Sequence, residues 1–271
     1  MTQIYIRQKE ILRICSLNLR DEMIVHTDKA ISVKDLTKCF GSFTAVDHIS
    51  FDVSKGEIFG FLGANGAGKT TAMRMLCGLS RPSGGTGSVA GCDIMTQAEA
   101  IKSKIGYMSQ KFSLYSGLTV EENIKLFSTI YGMSTNQIKE GTARIFNELD
   151  MGNMRNTYVK DIPVGWRQKL AFAVATIHSP EVVFLDEPTG GVDPVTRRRF
   201  WELIYKASSD GMTVFVTTHY LDEAEYCNRI SIMVDGKISA LDSPSALKKK
   251  YNAATIDEVF RIVAQSAKRG D

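Results

Sequence analysis

The 271-residue sequence lacks any apolar run long enough to cross a membrane. Stretches such as 170–177 fall well short of the ~18 to 20 residues that a spanning helix needs. The first residues contain no signal-peptide core either, because Arg7, Lys9, Glu10 and Arg13 interrupt the apolar positions. We therefore expect a chain that has no transmembrane segment and is not secreted.

The cysteines and histidines lack the spacing of a metal site, a redox motif or a disulfide framework. Five cysteines are scattered and odd in number, and the four histidines are equally dispersed. We interpret the cysteines as reduced core thiols of a cytosolic protein: Cys15, Cys39, Cys77, Cys92 and Cys227. A formal net charge of +3 also falls short of the basic excess expected of a dedicated nucleic-acid binder.

The chain divides by pattern into three parts. Residues 1–28 have no clear link to the rest of the chain. They could be a loose tail, a short basic amphipathic helix on a membrane surface, or the product of a start codon assigned too early, with Met23 as the true beginning. We expect a single large domain over 29–245 and a C-terminal tail over 246–271.

Strand and helix patterns alternate within the large domain. Strand-like segments lie at 31–36, 45–53, 57–62, 182–185, 213–217 and 230–234. The last three are separated by helical patterns, which indicates an α/β sheet. From about 111 to 165 the pattern is helical, and two capping boxes, Thr119 with Glu122 and Ser134 with Gln137, mark helix starts. The sequence therefore predicts an inserted helical subdomain over about 111–165.

A glycine-rich loop follows the strand at 57–62 and leads into a helix predicted at about 69–78. The loop matches G-x-x-x-x-G-K-[ST] at every fixed position, in the strand–loop–helix context that confirms the motif. Backbone N–H groups and the helix N-terminus would bind the β-phosphate, Lys69 would neutralise the β and γ oxygens, and Thr70 would offer a hydroxyl to Mg²⁺. The predicted nucleotide-binding residues of this cradle are Gly63, Ala64, Asn65, Gly66, Ala67, Gly68, Lys69, Thr70 and Thr71.

The buried strand at 182–185 ends in two carboxylates. Asp186 can hold Mg²⁺ through its water shell, and Glu187 can orient or deprotonate the attacking water. An acidic strand end alone is a weak signal. Together with the phosphate cradle it predicts a site that binds and hydrolyses a nucleoside triphosphate.

From 31 to 260 the sequence resembles the ABC ATPase family. The resemblance implies an α/β P-loop NTPase fold, with a RecA-like core, an antiparallel β subdomain and the inserted α-helical subdomain, and it implies ATP and Mg²⁺ as ligands. Gln110 resembles the Q-loop glutamine that contacts Mg²⁺, and His219 resembles the switch histidine at the γ-phosphate. Phe40 takes the place of the aromatic that stacks on adenine. Asp193 lies in a segment similar to the D-loop, which faces a second cassette.

Taken together, the motifs and the resemblance assign two further roles. We predict Glu187, His219 and Gln110 as catalytic residues. We predict Thr70, Gln110 and Asp186 as the residues that hold Mg²⁺.

The stretch 162–166 departs from the family's usual signature loop, Leu-Ser-Gly-Gly-Gln. Pro163, Val164 and Gly165 occupy positions that in the family contact the γ-phosphate bound to the other cassette. Pro163 has neither a hydroxyl nor an N–H, so a charge-assisted hydrogen bond of ~1.5 to 3 kcal/mol is missing, roughly a tenfold to hundredfold weakening unless a nearby basic side chain compensates. Two readings stay open: an active ATPase with a lineage-specific loop, which we favour, or a site that binds ATP without useful turnover.

The Pro-x-Gly-Trp loop and the segments 218–226 and 257–260 resemble bacterial multidrug-exporter cassettes whose permeases are separate membrane subunits. The resemblance implies export of a drug-like or other hydrophobic substrate, an integral membrane permease, a second and identical cassette, and a peripheral position on the cytoplasmic face of the cell membrane. A regulatory ATP-binding module with little hydrolysis stays open as an alternative. So does an ABC ATPase acting on nucleic acid or ribosomes, although the chain has one cassette and no sustained heptad pattern.

Overall fold

Two β-sheets and the helices packed on them make up the computed structural model, which describes residues 29–110 and 114–268. The strands are β1 (Lys29–Phe40), β2 (Phe43–Ser54), β3 (Ile58–Gly63), β4 (Gly84–Val89), β5 (Cys92–Asp93), β6 (Ile105–Met108), β7 (Val182–Asp186), β8 (Thr213–Thr218), β9 (Arg229–Val234) and β10 (Lys237–Asp242). The α-helices are α1 (Lys69–Leu76), α2 (Ala98–Lys104), α3 (Val120–Ile130), α4 (Thr135–Glu148), α5 (Val164–Thr176), α6 (Pro194–Ser209), α7 (Pro244–Tyr251) and α8 (Ile256–Lys268). Short 3₁₀ helices span Gly152–Met154, Val159–Asp161 and Leu221–Tyr226. The predicted extension 1–28 lies outside the described residues.

The smaller sheet is antiparallel, with strand order β2-β1-β4-β5. Its longest pairing is the β1–β2 hairpin, which runs from Lys29 opposite Ser54 to Phe40 opposite Phe43. Because residues directly opposite each other place their side chains on the same face, the hairpin tip carries two neighbouring phenylalanines. This sheet is the antiparallel β subdomain that the resemblance implied.

The larger sheet has the order β10-β9-β3-β8-β7-β6, and every neighbouring pair in it is parallel except β10 with β9. All residues of β3, β7 and β8 are buried. Parallel strands that are covered on both faces read as continuous apolar runs, which is the pattern seen at 58–62 and 182–185. The carboxyl ends of these strands lie at one edge, where α/β sheets place their ligands.

An aromatic cluster joins the two sheets. Its ring centroids lie 5.3 to 6.2 Å apart, a separation at which offset and tilted aromatic pairs attract each other. The cluster consists of Phe51 from the smaller sheet and Phe59, Phe61, Phe184 and Phe215 from the larger one. The strands that end at the predicted phosphate cradle are therefore anchored in a dense core.

Helices α3 and α4 lie within 111–165, the range predicted for the helical subdomain. Both predicted capping boxes are confirmed: Thr119 and Ser134 are N-caps, and each exchanges hydrogen bonds with the residue three positions on, Glu122 or Gln137. Helix α1 ends at Leu76, two residues before the predicted end. The domain boundaries themselves stay predictions.

The predicted C-terminal tail contains α8 and most of α7. Val259 and Val263 of α8 are buried in the same apolar cluster as the strands β8 and β9.

Among the described residues, no helix is both long enough and apolar enough to cross a membrane.

Candidate functional site

The predicted phosphate cradle is the loop between β3 and α1, at the carboxyl edge of the larger sheet. Gly68 caps α1 with a φ of 103°, a conformation that side chains rarely adopt. A Cβ at this position would also meet the carbonyl oxygen of Ala45 at 2.3 Å. Glycine is therefore required here twice, once for the turn and once for the close approach of the β2 backbone.

Lys69 lies inside the cradle, with only 5% of its surface exposed. Its ammonium donates to the carbonyl oxygens of Gly63 at 2.7 Å and Ala64 at 3.1 Å. Burial lowers the pKa of Lys69, and the nearby charges of Glu187 and Asp186 oppose that shift. The structure thus brings the predicted phosphate-neutralising cation next to both predicted acids.

Asp186 ends β7 and is almost fully buried, at 3% exposure. Its Oδ1 accepts a hydrogen bond from the Thr217 hydroxyl at 2.6 Å and lies 3.4 Å from the Thr70 hydroxyl. Burial raises the pKa of Asp186, and Glu187 adds to the rise while the two threonine hydroxyls and Lys69 oppose it.

The predicted magnesium ligands fit that ion in kind. Thr70 and Asp186 present a hydroxyl and a carboxylate oxygen at one spot, and Gln110 offers an amide oxygen, all of which are hard donors. The described residues hold no cluster of three His, Cys, Asp or Glu side chains suited to a metal. An ion here would depend on water and nucleotide phosphates for its remaining ligands, as Mg²⁺ commonly does.

Glu187 follows Asp186 with a φ of 49°, in the left-handed region that non-glycine residues seldom occupy. Two acceptors on β8 hold it there: its N–H donates to the carbonyl oxygen of Thr217 at 3.0 Å and to the Thr217 hydroxyl at 3.1 Å. Such strain persists where surrounding contacts over-determine it, often at functional sites.

The three predicted catalytic residues meet at one oxygen. Oε2 of Glu187 accepts from the Gln110 amide at 2.7 Å and lies 3.1 Å from Nδ1 of His219. The Glu187 side chain is 10% exposed and the His219 side chain 38% exposed, and Gln110 is exposed too, so the cluster opens to solvent through the histidine and the glutamine. A carboxylate held this way can orient a water molecule or accept its proton.

Phe40 stands at the end of β1 with 55% of its surface exposed, and the Lys38 ammonium lies 5.1 Å from its ring centroid. The ring borders a cavity of about 190 Å³ that also includes Thr71 from the first turn of α1. Arg74, Leu79 and Ser80 complete the lining. The structure therefore places the predicted adenine-stacking residue and the predicted cradle on one depression.

The altered signature stretch forms the amino terminus of α5. Pro163 is the N-cap and makes no side-chain capping bond. A Cβ on Gly165 would meet Cγ2 of Thr196, in the first turn of α6, at 2.6 Å. The amide of Gln168 donates to the carbonyl oxygen of Gly190 at 3.4 Å. The first turns of α5 thus contact α6 through Gly165 and the segment before α6 through Gln168, whereas Pro163 and Val164 are exposed.

Asp193 has a local role that was not predicted from the sequence. It is the N-cap of α6: its Oδ1 accepts from the N–H groups of Val195 and Thr196, and its Oδ2 accepts from the Thr196 hydroxyl at 2.6 Å. These hydrogen bonds lower the pKa of Asp193. The signal was available, because Asp followed by Pro is a common way to start a helix.

Four further polar side chains behind the site were not predicted either: Thr189, Arg197, Thr218 and Glu223. They connect the loop after β7, the end of β8 and helix α6. The sequence does not show that they meet, because they lie on separate elements that only the folded chain brings together.

A protein-family model described as ABC transporter matches residues 46–190. The chain is 45% identical over 231 residues to the probable multidrug ABC transporter ATP-binding protein YbhF of Escherichia coli, covering 83% of this chain and 40% of that protein. It is 34% identical over 234 residues to the Nod factor export ATP-binding protein I of Paraburkholderia xenovorans, covering 86% and 77%. It is 35% identical over 226 residues to the daunorubicin/doxorubicin resistance ATP-binding protein DrrA of Streptomyces peucetius, covering 83% and 68%.

Solved structures agree with the fold. One described as the ATP-binding subunit of an ABC transporter superposes with a TM-score of 0.78 at 25% identity, covering 86% of this chain and 99% of the other. An ATP-binding cassette solved in its ADP conformation gives a TM-score of 0.76 at 21% identity, covering 86% and 99%. The predicted P-loop fold is therefore confirmed. The chain belongs to the ABC transporter family, as one of its ATP-binding domains.

Proposed function

We propose that this chain binds ATP and hydrolyses it to ADP and phosphate, as the motor subunit of an ABC transporter. The observation that carries the proposal is the meeting of Gln110 and His219 at one oxygen of Glu187, next to the buried Lys69. A carboxylate held between an amide and an imidazole has the geometry of a general base for an attacking water. A site that only bound nucleotide would not need this arrangement.

Each residue then has a distinct part. Lys69 neutralises the terminal phosphates, and the backbone N–H groups of 63–68 hold the β-phosphate. Glu187 orients and deprotonates water, while His219 contacts the γ-phosphate oxygens. Bound through Thr70, Gln110 and Asp186, Mg²⁺ would supply charge neutralisation at the phosphates.

Steady-state ATP hydrolysis by the purified chain tests the proposal. Glu187→Gln keeps the side chain's shape but removes the base, and we expect turnover to fall at least a hundredfold, on the order of a lost general base, while ATP binding persists. Glu181→Gln is the matched control, because Glu181 precedes the same strand at its opposite end and is half exposed. A wild type no faster than Glu187→Gln would instead favour the regulatory module with little hydrolysis.

We also propose that two copies pair across the segment that precedes α6. Val195 beside Asp193 is 62% exposed, and Asp193 and Gly191 are exposed too, which leaves an apolar and polar surface open to a second cassette. Gly165 lies against Thr196 in the first turn of α6, and the exposed Pro163 and Val164 beside it would contact the nucleotide of the partner copy. Size-exclusion chromatography of Glu187→Gln with ATP should show a dimer that the nucleotide-free protein lacks.

The remaining part of the proposal concerns the membrane. The chain spans 40% of the length of YbhF. The activity of the full transporter is therefore a proposal that rests on the names of its relatives. Relatives named for multidrug transport and for daunorubicin/doxorubicin resistance favour export of a drug-like substrate through a separate permease, with this subunit on the cytoplasmic face. We place the permease contact on the segment 111–118, which follows Gln110. Residues 111–113 lie outside the described residues, and Tyr115 is 55% exposed.

Affinity purification from gently solubilised membranes tests this part. Recovery of a multi-span membrane protein would support it and would identify the subunit to assay for transport. Recovery of ribosomes or DNA alone would contradict it and favour the nucleic-acid alternative.

A further inference from the structure

Glu223 is a fully buried carboxylate just behind the catalytic cluster, in the 3₁₀ helix after His219. One of its oxygens, Oε1, accepts from the Thr189 hydroxyl and lies 3.5 Å from Nε of Arg197. The other, Oε2, accepts from the Thr218 hydroxyl at 2.7 Å. A single carboxylate thus joins three elements: the loop after β7, the end of β8, and helix α6.

Two of these partners adjoin catalytic residues. Thr189 lies two positions after Glu187, and Thr218 directly precedes His219. The Thr218 hydroxyl also accepts from the N–H of Tyr220 at 3.0 Å, so it closes a hydrogen-bonded turn around His219. A hydroxyl has one proton, and because Thr218 donates it in the hydrogen bond to Glu223, a lone pair of the hydroxyl oxygen is left to accept from the N–H of Tyr220.

Arg197 connects the same carboxylate to α6. Its guanidinium lies 4.2 Å from the ring centroid of Tyr220 and pairs with Asp222 at 3.2 Å. Tyr220 is therefore held at its backbone N–H by the Thr218 hydroxyl and at its ring by the guanidinium. Displacement of α6 would reach the His219 turn through these contacts.

Burial of an ion is costly, and a buried ion pair is weak evidence for stability by itself. Burial raises the pKa of Glu223, and the threonine hydroxyls and Arg197 oppose that rise. An apolar side chain would fill this space without the cost of desolvation, but it could not accept the hydrogen bond that sets the orientation of the Thr218 hydroxyl. The arrangement therefore suits a positional role better than a purely structural one.

We infer that Glu223 is a positioning residue that sets His219 against Glu187 by holding Thr189 and Thr218 together. The inference rests on the proposed function, since it assigns Glu223 a part in ATP turnover. The 3.1 Å distance between Oε2 of Glu187 and Nδ1 of His219 is the quantity that Glu223 controls.

Glu223→Gln is the primary variant. The two threonines donate to different oxygens of Glu223, and a glutamine keeps only one of these oxygens, so one threonine would lose its acceptor and face an NH₂ group instead. We expect kcat to fall about tenfold with the KM for ATP unchanged within about twofold, the pattern of a group that acts in the transition state.

Histidine-selective NMR supplies a second readout that needs no turnover. The chain has four histidines, and His219→Ala identifies the signal of His219. We expect the imidazole resonances of His219 to shift in Glu223→Gln. The matched control is Glu57→Gln, which removes another buried carboxylate. Glu57 pairs with Arg229 at 2.7 Å, at the end of β3 opposite the cradle. This variant should lower the melting temperature without moving the His219 signal.

The outcomes separate the inference from the proposed function. An unmoved His219 signal in Glu223→Gln would overturn the inference. A fall in kcat and a rise in KM that only follow the loss of melting temperature, as in the control, would overturn it too. A wild type without ATPase activity above Glu187→Gln would overturn the proposed function, whereas the NMR result would still decide the geometry. If Glu223→Gln does not fold, Thr189→Val removes one donor with little change of shape, and the same shift in the His219 signal is expected.

Discussion

Gly165→Ala is the substitution for which the structure makes the sharpest prediction. The added methyl group would lie 2.6 Å from Cγ2 of Thr196, well inside van der Waals contact. Thr196 cannot turn away easily, because its hydroxyl donates to Oδ2 of Asp193 at 2.6 Å and its χ1 is restricted by β-branching. Either the amino terminus of α5 or that of α6 has to move.

The magnitude follows from two opposing effects. Overpacking in a rigid contact costs about 1 to 3 kcal/mol, while replacing a helical glycine by alanine stabilises by up to about 1 kcal/mol. Gly165 does not have a positive φ, so alanine meets no backbone penalty. We expect a net loss of about 1 kcal/mol, and a melting temperature lower by about 2 to 4 °C for a chain of this size.

A second substitution, Thr196→Ser, should reverse the sign of the change in melting temperature that Gly165→Ala causes. Thr196→Ser removes Cγ2 but keeps the hydroxyl. The hydroxyl oxygen lies 3.5 Å from the position of the added methyl group, which is an ordinary van der Waals distance. In that background, Gly165→Ala should raise the melting temperature, because only the gain in helix propensity remains. Thermal denaturation of the four proteins, followed by circular dichroism without nucleotide, is the assay. A melting temperature that Gly165→Ala raises in both backgrounds would refute the steric argument.

Three other predictions concern the strand ends and the nucleotide. Thr217→Val should destabilise by about 1 to 3 kcal/mol in urea denaturation, because it leaves Asp186 without its 2.6 Å hydroxyl donor. Burial lowers the pKa of His178, whereas the side chain in the unfolded chain binds a proton near pH 6.5. The free energy of unfolding should therefore fall as the pH drops below about 6.5. His178→Phe should flatten this part of the plot of melting temperature against pH. Phe40→Ala should raise the KM for ATP about tenfold, since base stacking contributes about 1 to 3 kcal/mol, while Phe40→Tyr should leave it nearly unchanged.

The cradle could be predicted from the sequence because its parts are consecutive. The residues 63–71 form one strand–loop–helix unit, and Gly68 shows why the glycines are needed. The capping boxes of α3 and α4 are likewise local, and both predictions were confirmed. Local rules suffice where a few neighbouring residues determine the conformation.

The hydroxyl network behind Asp186 and Glu187 could not be predicted, because it depends on which strands lie side by side. Thr217 reaches Asp186 only because β8 pairs with β7, with Asp186 opposite Thr217. The strand order is not readable from a single sequence, and Thr217 in its strand has the pattern of a core residue. Glu223 was missed for the same reason, since its partners lie on three separate elements.

The position of Glu187 shows how strand order produces the proposed catalytic geometry. Its φ of 49° costs on the order of 1 to 3 kcal/mol, yet the residue is held because its N–H meets both oxygens of Thr217 on the adjacent strand. The same threonine hydroxyl donates to Asp186, so one side chain positions both acids. Because β7 and β8 are fully buried, Thr217 cannot move without disturbing the core. The stability of the sheet is therefore what holds the strained carboxylate in place for the proposed chemistry at its edge.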